Sequence, residues 1–236
     1  MSELEKNISV AMATYNGEKY IAKQIDTILN NLSENDELII SDDGSTDNTV
    51  KIINEFNDSR IKLLKGPGKG IKKNFENAIC NCKGDYIFLS DQDDVWDEKK
   101  IEAVMNIFDE KNAMVVVHDA EIVDCSLKTT EKSFFSYRKS GKGIIKNILK
   151  NTYIGCCMAF DSKIKNKIIP IPDNIEMHDQ WIGIIGEIYG DNYFLDKNLI
   201  KYRRHESNNS QMKHYRLWKM LRNRFFLIYN LIRRVQ

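Results

Sequence analysis

Tyr86-Ile87-Phe88-Leu89-Ser90-Asp91-Gln92-Asp93-Asp94-Val95-Trp96 decides how this chain is read. Tyr86 to Leu89 is a short apolar run of the kind that forms a buried strand. Asp91, Asp93 and Asp94 follow at once, so three carboxylates stand at the strand's exit. A strand end is held in place by its sheet, while the loop beyond it is free to receive a ligand. Like charges this close repel unless a cation joins them. The stretch therefore predicts an acidic metal site at the carboxyl end of a central strand.

Strands and helices alternate on the N-terminal side of this stretch. Strands are predicted at Ile8–Ala13, Leu38–Ile40 and Ile61–Leu64, ahead of the one at Tyr86–Leu89. Helical spacing runs through Ile21, Ile25, Ile28, Leu29 and Leu32 within 18–32, through Val50, Ile53 and Phe56, and over Ile71–Ile79. Ser45 or Thr46 is placed to cap the second of these helices. Such alternation predicts βαβ units and a mainly parallel sheet flanked by helices. On the C-terminal side a helix is expected over Glu98–Phe108 and a strand over Ala113–Val117, and then the rhythm weakens. Residues 126–150 read as a polar, basic loop region with a short helix near Ile144–Leu149. Gly155–Phe160, Tyr193–Leu195 and Leu199–Tyr202 read as strands, and Met177–Tyr189 as a helix. Residues 1–117 thus look like a nucleotide-binding half and 118–210 like an acceptor half, followed by a distinct segment, 211–236.

Composition sets the outer bounds. The 236 residues suffice for one sizeable α/β domain, and 42% hydrophobic with 29% charged residues fits a globular chain. A net charge of +1 singles out no partner, and nothing suggests nucleic acid. Cys80, Cys82, Cys125, Cys156 and Cys157 are odd in number and lack zinc-site spacing, so reduced thiols in a cytoplasmic protein are expected. Met1 to Lys6 is charged and leads into a strand, unlike a signal peptide. No apolar run approaches a bilayer span.

How would such a sheet hold a nucleotide? The turn after the first strand lacks Gly-x-Gly-x-x-Gly, and Gly66-Pro67-Gly68-Lys69-Gly70 lacks the Gly-Lys-Ser/Thr ending of a Walker A loop. Carboxylates that hold a divalent ion, which in turn holds a diphosphate, remain. Here a resemblance becomes specific. Ala13-Thr14-Tyr15-Asn16-Gly17, Ser41-Asp42-Asp43-Gly44-Ser45-Thr46-Asp47 and Ser90-Asp91-Gln92-Asp93-Asp94-Val95-Trp96 occur in order, each after a predicted strand. They resemble the signature blocks of family 2 glycosyltransferases, which have the GT-A fold. Met177-His178-Asp179-Gln180-Trp181 and Tyr202-Arg203-Arg204-His205-Glu206-Ser207-Asn208 resemble blocks of a bacterial, rhamnosyltransferase-like branch. The resemblance covers roughly residues 7–210.

What the resemblance implies can be placed residue by residue. Asp43 matches the position that hydrogen-bonds the nucleobase, with Ala13 and Tyr15 lining that pocket; a turn-capping role is the alternative for Asp43. Asp91 matches the ribose-side acid of a DxD motif, and Asp93 the ligand of Mn²⁺ or Mg²⁺, with His205 completing the metal shell or touching the diphosphate. Asp94, Asp97 and Glu98 can be plain helix-start acids. Asn74 is the best nucleotide contact among Lys69, Lys72, Lys73 and Asn74, and Arg204 is a candidate for phosphate. Asp179 matches the catalytic base, although the family's usual Glu-Asp is His178-Asp179 here. Gln180 and Trp181 are expected to shape the acceptor pocket, with Gly155-Cys156-Cys157 beside it. His118-Asp119 is a candidate facing donor sugar or acceptor.

The implied reaction is inverting, metal-dependent transfer of a sugar from a nucleotide-diphosphate donor, a UDP or dTDP sugar. The implied acceptor is a glycan or lipid-linked glycan, in assembly of a cell-surface polysaccharide such as capsule or O-antigen. Two alternatives stay open at this stage. Asp91-x-Asp93-x-Val95 also resembles the aspartyl-phosphate phosphatases, whose motif follows the first strand of the sheet rather than the fourth. A non-catalytic scaffold at a membrane is the other. Finally, Trp218, Leu221, Phe225, Ile228, Ile232 and Val235 recur at helical steps among Lys213, Arg216, Lys219, Arg222, Arg224, Arg233 and Arg234. This basic amphipathic helix suits an anionic membrane surface on the cytoplasmic side, its own domain, or a second subunit in a homodimer.

Overall fold

A computed structural model of the chain describes residues 6–205 and 217–236. Residues 1–5, Glu206, Ser207 and Asn208 of the last motif, and Lys213 and Arg216 of the C-terminal segment lie outside the described residues. Four parallel strands form the first half of a single sheet: β1 (Ile8–Thr14), β2 (Glu37–Asp42), β3 (Ile61–Lys65) and β4 (Tyr86–Ser90), in the order β3-β2-β1-β4. They alternate with α1 (Ile21–Leu29), α2 (Thr49–Glu55) and α3 (Ile71–Asn81). β1 is buried along its whole length, as a continuous apolar strand covered on both faces should be. α1 turns Ile21, Ile25 and Ile28 inward, as its sequence spacing predicts, and buries Gln24 beside them while Leu29 stays half-buried.

The chain then leaves the parallel half through β5 (Val95–Trp96) and α4 (Lys100–Lys111). β6 (Val115–Val123), β7 (Thr129–Glu131), α5 (Phe134–Arg138) and α6 (Ile144–Leu149) follow. After a tight turn at Gly155–Cys157 come β8 (Met158–Asp161), α7 (Lys165–Ile168), α8 (His178–Tyr189), β9 (Asn192–Arg203) and α9 (Leu217–Val235). β8 pairs antiparallel with β4 and β6, and β9 runs parallel to β6 and carries the short β5 on its far edge. One hydrophobic core takes in both halves and also Leu227 and Leu231 of α9.

Several local expectations are corrected. The strand expected from Gly155 starts at Met158, because Gly155–Cys157 is a single 3₁₀ turn. Tyr193–Leu195 and Leu199–Tyr202 are one strand; exposed Asp196, Lys197 and Asn198 masked its continuity, and β6 accommodates them by register shifts around Asp119. Neither Ser45 nor Thr46 caps α2. Asp47 does that work, accepting from the Thr49 amide (3.0 Å) and hydroxyl (2.5 Å). Ser45 instead donates its hydroxyl to Asp42 (2.5 Å).

Candidate active site

The register of the parallel strands sets the site's platform. Thr14 of β1 is level with Asp42 of β2, and Met12 with Ser90 of β4, so Tyr15, Asp43 and Asp91 leave the sheet along one edge. β2 and β4 lie on opposite sides of β1, which makes the end of β1 and β4 the switch point of the sheet, where open α/β sheets bind ligands. Gln92 ties the two exits together. Its side-chain oxygen accepts from the Tyr15 amide (2.9 Å) and the Thr14 hydroxyl (2.5 Å), and its nitrogen donates to the Tyr15 carbonyl (3.1 Å). A Cβ on Gly17 would lie 2.5 Å from Gln92 Oε1, so this clamp needs glycine there. The middle residue of the DxD carried no signal in the sequence, yet it aligns the motif with β1.

The pair at the end of β2 divides its work. Asp42 accepts from the amide and hydroxyl of Ser45 and forms the turn. Asp43 reaches across to the glycine loop, where its two oxygens accept from the amides of Gly68 and Gly70 (both 2.7 Å). It stays partly exposed beside Tyr15, which is 54% exposed, while Ala13 is buried at the end of β1. Asn74 is buried beneath this edge and donates to the carbonyls of Thr14 (3.1 Å) and Ser41 (2.8 Å), so its amide nitrogen joins β1 to β2. Lys72 donates to the carbonyls of Asp173 and Ile175, and Lys73 to Glu76 and the Ile171 carbonyl; both tie α3 to the segment ahead of α8. Lys69 is exposed on the loop.

The acidic cluster is assembled by the pairing of β5 with β9. Val95 opposite Lys201 brings the end of β9 back over the DxD motif. The Arg203 amide then donates to Asp94 Oδ1 (2.9 Å), its Nε to the Asp93 carbonyl (2.7 Å), and His205 Nε2 meets Asp93 Oδ2 at 2.7 Å. The sequence singled out Arg204, whose Nη1 donates to the Tyr202 hydroxyl (3.1 Å); its neighbour Arg203 is the one woven into the back of the motif. Asp91, Asp94 and the Cys156 thiol place ligand-type atoms within 4.8 Å of one another. Asp94, read as a helix-start acid, is fully buried.

Charge is crowded here. Burial, then the charges of Asp93 and Asp179, pushes Asp91 up to about 7. Burial, then Asp93 and Asp91, holds Asp94 well above the usual carboxylate range. Asp93 is also raised by burial, with the hydrogen bond from His205 opposing. Behind the cluster lies Lys100, fully buried, its ammonium donating to the Cys156 carbonyl (2.8 Å) and lying 3.7 Å over the Trp96 ring. Burial lowers it to about 8 despite the thiols of Cys157 and Cys156 and the two acids. Three raised carboxylates face the buried cations Lys100 and Arg203, and Asp94 Oδ2 has no hydrogen-bond partner among the described residues. Carboxylate oxygens with an imidazole nitrogen are a donor set that Mn²⁺ accepts and Mg²⁺ partly accepts, so the residues fit a divalent ion.

Asp179 closes the site from the other half. It lies in the first turn of α8, where the helix dipole favours its charge. Its Oδ1 accepts from the Gln180 amide (2.6 Å) and from Asn151 Nδ2 (3.1 Å). Burial raises it to about 6 against those hydrogen bonds. Its charge also raises Asp91, so the base candidate and the acidic cluster act on each other. Gly155–Cys157 is the floor between them: Cys156 sits under the acids, and a Cβ on Gly155 would come 2.8 Å from His178 Nε2 and 3.7 Å from the Asp179 Cβ. His178 stacks on Phe75 (centroids 4.1 Å apart), and both its ring nitrogens lack partners among the described residues. Burial, then Lys72, drops it to about 3, so its ring is neutral.

The other expected neighbours make their contacts within the protein. Gln180 is buried and donates to the Asn147 carbonyl (2.7 Å), and Trp181 is fully buried with its indole nitrogen donating to the Ile168 carbonyl (2.8 Å). Asp119 accepts from the amides of Ala120 and Phe135 (both 2.8 Å) and from the Ser133 hydroxyl, which anchors α5. His118 is buried with Nδ1 against the Asp119 carbonyl (2.7 Å).

Comparison with known proteins agrees with this geometry. The profile of Glycosyl transferase family 2 matches residues 9–168. The dTDP-rhamnosyl transferase RfbG of Shigella flexneri is 30% identical over 91% of this chain and 80% of its own length. An Escherichia coli UDP-Glc:alpha-D-GlcNAc-diphosphoundecaprenol beta-1,3-glucosyltransferase, WfgD, is 32% identical over 63% of this chain and 57% of its own length. The chain spans 66% of a Nostoc glycosyltransferase to which it is 26% identical over 86% of its residues. It spans 39% of the Streptococcus pneumoniae glycosyltransferase GlyG, which is 39% identical over 50% of this chain. In fold, S. aureus TarS in complex with UDP-GlcNAc superposes with a TM-score of 0.74 at 18% identity, covering 96% of this chain and 67% of TarS. The sheet, its acidic switch point and the ordered motifs thus have the GT-A fold, and the chain belongs to glycosyl transferase family 2.

Proposed function

We propose that this protein transfers a sugar from a nucleotide-diphosphate donor to a hydroxyl of a growing cell-surface glycan, with inversion at the anomeric carbon. The observation that carries this reading is the meeting of Asp179 and Asp91 across the Gly155–Cys157 floor. The donor half offers Tyr15, Asp43 and Ala13 to the nucleobase and Asp91 to the ribose. Asp93 and His205 would hold Mn²⁺ or Mg²⁺, with Arg204 near the phosphates. When bound, such an ion supplies positive charge opposite the diphosphate as it leaves.

The protein's own part in the step is proton transfer. Asp179 accepts the acceptor hydroxyl's proton while that oxygen bonds to the anomeric carbon and the bond to the diphosphate oxygen breaks. A carboxylate raised to about 6 is still ionised at neutral pH and has more proton affinity than an ordinary aspartate. Donor chemistry of the kind named for RfbG and WfgD, a dTDP or UDP sugar, and an acceptor on a lipid diphosphate as named for WfgD, support the substrate class. Work at the inner face of the plasma membrane follows from such an acceptor. Family membership removes the phosphatase alternative.

A thermal-shift screen of UDP and dTDP sugars with and without Mn²⁺ tests the reading. A ligand at about 100 times its Kd adds roughly 2.7 kcal/mol of stability. A metal-dependent rise in Tm with one sugar nucleotide is expected. No shift with any of them, metal present, contradicts a donor site and favours the scaffold.

A further inference from the structure

No helix among the described residues is long and apolar enough to cross a membrane, and α9 has a different use for its apolar residues. Its inner face is spent on its own domain. Leu227 and Leu231 enter the core, Asn223 and Asn230 donate to Glu176 and Asn174, and Arg234 donates to the carbonyls of Lys167, Ile169 and Pro170. Its outer face is uncovered among the described residues. Trp218 (79% exposed), Leu221, Phe225, Ile228, Ile232 and Val235 form an exposed stripe at three- and four-residue steps. α6 lies alongside, tied on by Arg224 donating to the Leu149 carbonyl, and it exposes Ile145 and Leu149.

Charge identifies what covers this surface. Residues 132–150 and 217–236 contain eleven of the chain's 35 Lys and Arg and none of its 34 Asp and Glu. The remaining residues then carry 24 basic against 34 acidic side chains, so a nearly neutral protein is sharply polarised. Lys139, Lys142, Lys146, Lys150, Lys219, Arg222 and Arg233 are exposed in these segments, and Lys142 pairs with Asp191. A second copy seated on this face would set the same cations against each other, because a two-fold interface is self-facing. We propose that the outer face of α9, together with α6 and the 132–150 segment, docks on an anionic lipid bilayer. Trp218, Phe225 and Ile232 enter the acyl boundary, and the lysines and arginines meet the lipid phosphates.

Position gives the docking a consequence. The basic segment runs directly into Asn151, whose side chain donates to Asp179, and Arg138 donates to the Asn151 carbonyl. A bilayer on this face therefore borders the acceptor side of the cleft and presents a lipid-borne acceptor from there. That consequence rests on Asp179 being the base; the docking itself does not.

The test is co-sedimentation of the full chain with vesicles, catalysis playing no part. Trp96 and Trp181 are buried, so a blue shift and quenching by brominated acyl chains report on Trp218. Binding to phosphatidylcholine vesicles containing phosphatidylglycerol is expected, weakening at least tenfold in pure phosphatidylcholine or at high salt. Trp218→Ser with Phe225→Ser, and separately Lys146→Glu with Arg222→Glu, should each weaken it at least tenfold with Tm unchanged. No binding of the wild type to the anionic vesicles overturns the proposal. So does binding that ignores lipid charge, or a stable dimer in light scattering that Trp218→Ser dissociates.

Discussion

The two halves of the sheet hold their candidate carboxylates in opposite ways. In the parallel half, Asp43 lies at a strand exit with both oxygens answered by backbone amides 2.7 Å away, in a partly exposed loop. In the second half, Asp179 is sunk into the protein, and burial raises it to about 6 in spite of two hydrogen bonds. The first arrangement fixes a geometry; the second tunes a proton affinity. Binding a nucleotide needs acceptors in fixed positions, whereas taking a proton needs a base whose affinity has been lifted. The acids at Asp91 to Asp94 sit between the two and share both characters: they are placed by Gln92 and Arg203 and raised by burial and mutual repulsion.

Substitutions can separate these two roles. Asp93→Ala should have the largest effect, lowering transfer at least about 100-fold by removing charge opposite the leaving group. Calorimetry should show metal-dependent donor binding lost, and unchanged binding would take Asp93 out of the metal site. Gly155→Ala should act on the other half, because its Cβ would press on His178 and displace the start of α8. A fall of about tenfold in kcat with donor affinity intact is expected, the scale of a small misplacement of reacting groups. An equal loss of donor affinity would mean that the floor serves both halves alike.

The pH profile carries the sign of the burial. A raised carboxylate is protonated below about 6, so kcat should fall as pH drops through that value, to about a tenth between pH 7 and pH 5. A limb near pH 4 would show that burial does not govern the base. Tyr15→Ala should be mildest. Its exposed ring offers only a face to the nucleobase, worth about 1 kcal/mol, so donor KM should rise several-fold with kcat unchanged. A change in kcat alone would remove Tyr15 from the donor pocket.

These contrasts also explain what could be read in advance. The parallel half of the sheet was legible because its strands are short apolar runs and its motifs follow them immediately, so Asp43, Asp91 and Asp93 could be placed at strand exits from local pattern, while the roles proposed for them came from the resemblance. The role proposed for Asp179 came only from its resemblance to a family block. Lys100, Gln92 and Arg203 were not legible, since their roles come from long-range contacts: Lys100 looks like one more helix lysine until the Gly155–Cys157 turn sets the Cys156 carbonyl over it. Asn74, Gln180 and Trp181 were assigned to ligands because polar or aromatic residues beside a motif look functional, yet each has its donor group turned to the protein's own backbone. The bare face of α9 was visible as periodicity, but only packing showed that Leu227 and Leu231 form a second, inner face.

The central claim is that Asp179 takes the proton while the acidic cluster across the Gly155–Cys157 floor holds the donor. Its most direct test is the transfer rate of Asp179→Asn at saturating donor, set against that variant's affinity for the same donor. Because a carboxyl raised by burial costs the native state stability as pH climbs through about 6, the variant should be as stable as wild type at pH 7, or more so by up to about 3 kcal/mol. Unfolding would then not account for lost activity. The account predicts transfer reduced by at least about 1000-fold with donor affinity unchanged. Transfer at the wild-type rate, or donor binding lost together with transfer, would contradict it.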